Sequence, residues 1–124
     1  MGKRFVILVV DDSAANLQLC HGLLNAEYDV RLAKSGRQAL TALSTFCPDI
    51  LLMDIEMPDM DGFEVMDEIR KNPSLSHIPV IFVSSHSMNE YIERAAGYEA
   101  SDYVIKPFDT GVLRKKIRDA LTAG

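Results

Sequence analysis

The sequence has few cysteines, no long hydrophobic run and no excess of positive charge, and each shortage excludes a class of protein. Its two cysteines, Cys20 and Cys47, lie far apart and match no zinc or redox spacing, so we interpret both as small buried hydrophobic residues. The apolar run from Phe5 to Val10 is too short for a secretory signal or a membrane span. A soluble protein of the reducing cytoplasm, without membrane contact, is the expectation.

Basic residues are outnumbered, with 13 Lys and Arg against 18 Asp and Glu and a formal net charge of -5. This balance argues against a nucleic-acid-binding surface within the chain. Internal repeats, low-complexity tracts and linker-like stretches are also lacking, and 124 residues with 48% apolar content suit one domain over residues 1–124. A glycine-rich nucleotide-binding motif is absent as well, so a nucleotide-binding function has no support.

The chain does contain a regular alternation of apolar runs and helical patterns. The predicted strands cover residues 5–10, 28–33, 50–54, 79–83 and 103–105. The predicted helices cover about 13–25, a segment from 35 that ends before Pro48, then 62–70, 88–96 and a last segment from 109 or 110. Because right-handed crossovers place helices on both faces of a parallel sheet, this alternation predicts a doubly wound α/β fold with five parallel strands.

Individual elements carry further predictions. The first helix has Ala14, Leu17, Cys20 and Leu24 at the spacing of a buried stripe. Residues 28–33 alternate apolar and polar side chains, which indicates a less buried strand near an edge. We take the strand order as 2-1-3-4-5, which leaves the second strand at the edge. The topological switch point, where ligands bind in such sheets, then falls between the first and third strands.

Polar side chains follow the strands where each one ends. Asp11 and Asp12 follow the first strand, and Asp54, Ser84 and Lys106 lie at the ends of the third, fourth and fifth. Since the carboxyl ends of parallel strands meet at one rim of the sheet, the switch point brings Asp11 and Asp12 beside Asp54.

Three carboxylates at one rim repel each other, by up to about 4 kcal/mol for a pair at ~4 Å and an effective dielectric constant near 20. A raised pKa or a bound cation relieves the repulsion, and oxygen ligands without histidine or cysteine favour Mg²⁺. Mg²⁺ binds proteins through one or two carboxylates together with a phosphate. The pattern therefore indicates phosphoryl transfer, with Asp54 as nucleophile, the Lys106 ammonium as counter-charge and the Ser84 hydroxyl as donor.

Five segments resemble the receiver domains of two-component response regulators, a family with a flavodoxin-like (βα)5 doubly wound sandwich. These segments are Val9–Ser13, Leu52–Pro58, Met60–Gly62, Val83–Ser85 and Tyr103–Phe108. The resemblance covers nearly the whole chain. It implies a phosphorylation-dependent signalling switch that relays a phosphoryl group to an output domain or partner. It implies no enzyme activity beyond the domain's own phosphotransfer and dephosphorylation.

The resemblance also implies roles for individual residues. Asp54 accepts the phosphoryl group from a sensor histidine kinase or a phosphotransfer protein. Asp12 binds Mg²⁺ directly and Asp11 binds it through water, while Asp54 and the backbone carbonyl of Glu56 complete the protein ligands. Glu56 and His86 occupy positions that tune dephosphorylation, and we hypothesise that both line the approach of the attacking water.

Ser84 takes the position of the switch hydroxyl, Lys106 that of the phosphate-binding lysine and Tyr103 that of the switch aromatic residue. Phosphorylation is implied to draw Ser84 towards the phosphate and to turn Tyr103 inward. These movements reshape the face formed by the fourth helix, fifth strand and fifth helix, which is the implied surface for an output domain or downstream protein. A homodimer through the same face is left open. The resemblance further implies a cis bond between Lys106 and Pro107.

The chain departs from the family at two positions and leaves two other functions to consider. Glu99 stands where the family has glycine, and Ser84 replaces the commoner threonine. A small Mg²⁺-dependent phosphohydrolase with an aspartyl intermediate would share the chemistry, but the chain has no residues left to build a substrate pocket. A receiver-like interaction module that is never phosphorylated is the second alternative, and retention of all five site positions argues against it.

Overall fold

The computed structural model describes residues 4–86 and 88–122, which form five strands alternating with five helices. The strands are β1 (Val6–Val10), β2 (Asp29–Ala33), β3 (Ile50–Asp54), β4 (Val80–Ser84) and β5 (Asp102–Ile105). The helices are α1 (Ala14–Leu24), α2 (Gly36–Leu43), α3 (Gly62–Lys71), α4 (Asn89–Ala96) and α5 (Thr110–Thr122).

All strand pairs are parallel and the strand order is β2-β1-β3-β4-β5, so the predicted fold class and strand order are confirmed. The register pairs Val10 with Met53 and Met53 with Phe82, which aligns the carboxyl ends of the three central strands. The switch point therefore lies between β1 and β3. The edge strand β2 has only one buried residue, Ala33, so it is less buried than β1, as predicted, although its burial does not alternate.

The sheet separates two apolar clusters because successive side chains of a strand point to opposite faces. One cluster joins the sheet to α2, α3 and α4, and includes Leu51, Met53 and Phe63. The other joins it to α1 and α5, and includes Leu52 and Leu113. Because β3 is apolar on both faces until its last residue, Asp54 is positioned by a strand that is buried throughout.

Side chains of the loops fix where the helices begin. Ser13 accepts a hydrogen bond from the amide of Asn16 at the start of α1. Asp61 and Glu64 form a capping box at the start of α3, in which each side chain accepts from the other residue's amide. Gly62, the first residue of α3, touches the end of β3 so closely that a Cβ there would overlap the carbonyl oxygen of Asp54.

Two burial predictions are wrong. Cys47 is exposed, because it lies in the connection between α2 and β3 rather than in either element, whereas Cys20 is buried as predicted. Ala14 is exposed because it is the first residue of α1, before the helix reaches the sheet, and the buried stripe starts at Leu17. Strand and helix bounds otherwise shift by a residue or two, and β4 includes Ser84.

Glu99, which stands where the family has glycine, has an unusual backbone conformation. Glu99 has a φ of 56° and is the one non-glycine residue with positive φ among those that the structure describes. The bond between Lys106 and Pro107 is cis, as the resemblance implied. No helix in the described ranges, 4–86 and 88–122, is long and apolar enough to cross a membrane.

Candidate functional site

Three acidic residues meet at the carboxyl rim of the sheet. Asp11 follows β1 and Asp54 ends β3, and both are buried, whereas Asp12 is exposed. Each of the three contributes a carboxylate oxygen that lies within 4.8 Å of the others. The structure therefore brings together the three acids that the sequence placed beside each other.

Lys106, the residue after β5, reaches into this cluster. Its Nζ lies 3.0 Å from Oδ2 of Asp11 and 3.4 Å from Oδ1 of Asp54. Burial by itself lowers the pKa of Lys106, but the hydrogen bond to Asp11 and the charges of both carboxylates outweigh it and raise that pKa above its ordinary value. The ammonium is therefore a fixed positive charge between the two buried acids.

The carboxyl group of Asp54 is strongly perturbed. Burial raises its pKa most, the negative charge of Asp11 adds to the effect, and Lys106 offsets part of it, so the pKa rises to about 7. The single ammonium of Lys106 thus does not offset the combined effect of burial and the neighbouring carboxylate. A divalent cation would favour the ionised form that a nucleophile requires.

Asp11 is held by the start of α1, the helix that follows it, as well as by Lys106. Its Oδ1 accepts a hydrogen bond from the Ser13 amide at 2.9 Å, and its Oδ2 accepts from Asn16 Nδ2 at 3.3 Å. Sequence reasoning missed Asn16 as a site residue. The available signal was its position. Asn16 follows Asp11 by five residues and lies in the first turn of α1, the helix that begins at the rim.

Ser84, at the end of β4, is fully buried and its hydroxyl is engaged by Glu56. Ser84 Oγ donates to Glu56 Oε1 at 2.8 Å and accepts from the His86 amide at 3.0 Å. His86 Nε2 lies 2.6 Å from Glu56 Oε2. Ser84, Glu56 and His86 therefore form one connected network next to the acidic cluster.

Tyr103 of β5 is linked to this network through the backbone. Its ring is half-buried, and its hydroxyl donates to the carbonyl oxygen of His86 at 2.8 Å. Burial is the main reason why the pKa of Tyr103 lies above its ordinary value. The His86 ring also packs against Tyr91 of α4, with 4.6 Å between ring centroids.

The donor set fits a hard divalent cation. Asp11, Asp12 and Asp54 offer only carboxylate oxygens, which Mg²⁺ prefers. Burial and, second, the charge of Asp11 raise the pKa of Asp54, and a bound cation would offset both effects. Such a rim, with an ionisable nucleophile, a fixed ammonium and a buried hydroxyl, has the groups that a phosphoryl transfer needs.

Comparison with known proteins agrees with this geometry. The profile of the response regulator receiver domain family matches residues 7–118. The chain is 40% identical over 115 residues to the response regulator PleD of Caulobacter vibrioides, a match that covers 90% of this chain and 25% of that protein. It is 39% identical over 121 residues to a probable cyclic di-GMP phosphodiesterase of Vibrio cholerae, with 96% of this chain and 27% of that protein covered.

A solved structure gives the same result for the fold. The chemotaxis protein CheY4 of Vibrio cholerae matches with a TM-score of 0.89 at 27% identity, and the match covers 94% of this chain and 98% of that chain. The chain spans about a quarter of the length of the two curated relatives.

Proposed function

The chain belongs to the response regulator receiver domain family, whose members are phosphorylation-dependent signalling switches of two-component systems, and we propose that Asp54 is its phosphoacceptor. The observation that carries this proposal is the placement of Asp54 at the sheet rim, buried between the Asp11 carboxylate and the Lys106 ammonium. We take residues 1–124 as one receiver domain.

Mg²⁺ is the proposed cofactor. Asp12 and Asp54 would bind it directly together with the backbone carbonyl of Glu56, and Asp11 would bind it through water. The hydrogen bonds that Asp11 already accepts from Ser13, Asn16 and Lys106 support the indirect role for that carboxylate. When bound, the ion supplies positive charge that ionises Asp54 and neutralises the incoming phosphoryl group.

The transfer itself needs little beyond positioning. A carboxylate oxygen of Asp54 forms a bond to phosphorus while the phosphorus–nitrogen bond of the donor's phosphohistidine breaks and the histidine leaves with the electron pair. Lys106 offsets negative charge on the phosphoryl oxygens, and the Ser84 hydroxyl donates a hydrogen bond to one of them. Because Ser84, His86 and Tyr103 are joined by hydrogen bonds, a movement of Ser84 towards the phosphoryl group would also act on Tyr103.

The proposed partners follow from this chemistry. The phosphoryl donor is a sensor histidine kinase or a phosphotransfer protein. The signal then passes to an output domain or a downstream protein that binds the face of α4, β5 and α5. That face exposes Ile92, Ile105 and Val112, which suit a protein contact or a homodimer. The chain would act on no substrate other than its own phosphoryl group. Its two free cysteines are compatible with a cytoplasmic location.

We also propose that Glu56 and His86 tune the removal of the phosphoryl group by water. Their side chains are 42% and 37% exposed and lie beside Ser84, at the edge that a water molecule would cross. Replacing both should change the half-life of the phosphorylated protein. An unchanged half-life would exclude this role.

The test of the phosphoacceptor is phosphate incorporation. The protein is incubated with a small phosphodonor and Mg²⁺, and intact mass is recorded over time, so that gain and subsequent loss of the phosphate are both measured. We expect a single alkali-labile phosphate that is absent from the D54N variant and from samples without Mg²⁺. An unmodified mass in the folded wild-type protein, together with no binding of beryllofluoride, would contradict the proposal and favour the interaction module.

A further inference from the structure

The carboxylate of Glu56 uses both of its oxygens to bind the end of β4 and the loop that follows it. Oε1 accepts from Ser84 Oγ at 2.8 Å and from Ser85 Oγ at 3.4 Å. Oε2 lies 2.6 Å from His86 Nε2. Although the side chain of Glu56 is partly exposed, it is therefore held in one position by three consecutive residues, the last of β4 and the first two of the loop after it.

The Ser84 hydroxyl has one proton, and it can donate that proton to only one strong acceptor at a time. In this structure the acceptor is Glu56. In the proposed function the acceptor is an oxygen of the phosphoryl group on Asp54. The two interactions exclude each other, because the same O–H bond cannot point at both.

His86 strengthens the contact between Ser84 and Glu56 from two sides. Its ring nitrogen holds the far oxygen of Glu56, and its amide donates to Ser84 Oγ at 3.0 Å, which leaves the hydroxyl proton directed at the carboxylate. The His86 ring is itself supported by Tyr91. The arrangement is thus built from both the side chain and the backbone of His86.

From these contacts we propose that Glu56, Ser84 and His86 form a latch that opposes activation. We call this set the Glu56 latch. Glu56 holds the switch hydroxyl away from Asp54, and a phosphoryl group must displace Glu56 before Ser84 can bind it. The inference rests on the proposed function and adds a role for Glu56 that precedes phosphorylation and is separate from the control of water.

The first test measures the binding of beryllofluoride, an inorganic mimic of the phosphoryl group, in the presence of Mg²⁺. We expect E56A to bind it about five-fold more tightly than the wild type, since the hydrogen bond to a charged acceptor no longer has to be broken. Removing a negative charge near an anion would also tighten binding, so E56Q is the matched control. It loses the charge but keeps an oxygen that accepts from Ser84, and its gain should be smaller than that of E56A.

A double-mutant cycle separates the latch from a general charge effect. In the S84A background the hydroxyl is missing, so only the charge effect remains and E56A should tighten binding by less than it does in the wild-type background. An equal gain in both backgrounds, or equal gains for E56A and E56Q, would show that Glu56 acts only through its charge and would overturn the latch. An absence of any gain from E56A would overturn it as well.

A second measurement does not depend on the phosphoryl mimic. In the free protein, E56A should shift the NMR amide signals of Ser84 and His86, whereas E27A, which removes a charge at the opposite end of the sheet, should leave them in place. Unchanged signals in E56A would contradict the latch. If the wild type fails to bind beryllofluoride or to take up phosphate, the proposed function fails, and the amide signals still decide whether Glu56 holds the loop.

Discussion

Glu99 has a strained backbone conformation. Its φ of 56° lies in the left-handed region, where an L-residue with a Cβ is disfavoured by about 1–2 kcal/mol. The side chain is exposed, so burial does not explain why a glutamate is found here. The neighbouring Tyr98 carbonyl accepts from Arg70 at 3.0 Å, and this hydrogen bond helps to hold the turn before β5 in its shape.

Replacing Glu99 with glycine should therefore stabilise the protein. Glycine adopts positive φ without steric cost, so we expect E99G to raise the free energy of unfolding by about 1 kcal/mol, as measured by urea denaturation. The matched control is E99A, which removes the same charge and retains the Cβ. Equal stability changes in the two variants would mean that the charge of Glu99, and not its backbone conformation, is responsible.

At the scale of residues, the sequence predicted the groups of the site better than their contacts. Asp11, Asp54 and Lys106 were predictable because each one follows a strand, and parallel strands end at a common rim. The bond between Glu56 and Ser84 was not predictable, since it joins residues 28 positions apart through particular side-chain rotamers. Burial of Cys47 was predicted wrongly because residue type alone says little about a loop.

At the scale of elements, the start of α3 is tied to the end of β3. Gly62 N donates to the carbonyl oxygen of Ile55 at 2.8 Å, and a Cβ on Gly62 would lie 3.0 Å from Ile55 Cα besides overlapping the Asp54 carbonyl. Both neighbours are backbone atoms, one in the last residue of β3 and the other in the residue after it. This helix and this strand can approach so closely only if the helix begins with glycine.

Two glycine-to-alanine substitutions test this close approach. G62A should lower the free energy of unfolding by about 1–3 kcal/mol, because the added methyl forces the backbone near Asp54 to move. G22A is the control on α1, where the methyl would meet no atom within 4 Å and should raise stability by up to about 1 kcal/mol. Thermal unfolding of both variants measures the difference. A G62A variant as stable as the wild type would refute the close packing of α3 on β3.

The order and type of the elements were predictable for a physical reason. Apolar runs bounded by turn residues define buried strands, and the helices between them show one apolar face. Element ends were less predictable, as with Ala14, which the helical pattern places on the buried stripe although it precedes the first contact of α1 with the sheet. The start of α1 was predictable only to within a residue, because Asp12 and Ser13 can both cap a helix, and in the structure the cap is Ser13.

At the scale of the whole molecule, the acidic site makes stability depend on pH. In the folded protein the pKa of Asp54 is about 7, against an ordinary value of 3.8 in an unfolded chain. Between about pH 4 and pH 7 the unfolded chain has therefore lost a proton that the folded protein retains. Because the folded state binds more protons in this range, its stability should fall as the pH rises.

The D54N variant isolates this effect. We compare the unfolding free energy of D54N with that of the wild type, without divalent cations. The difference, D54N minus wild type, should increase by about 2–3 kcal/mol from pH 5 to pH 8. Chemical denaturation at both pH values measures it. The control is D59N, which neutralises an exposed carboxyl in the loop after β3 and should show no such growth. An advantage of D54N that stays constant with pH would contradict the raised pKa.

The residues of the site are far apart in the chain. Lys106 and the Asp11 carboxylate that it binds are separated by 95 positions, and Asp54 comes from a third strand between them. A chain that ends before β5 therefore has no place where the ammonium, the acids and the hydroxyl meet. The complete arrangement of charges therefore exists only in a folded chain that contains β1, β3, β4 and β5.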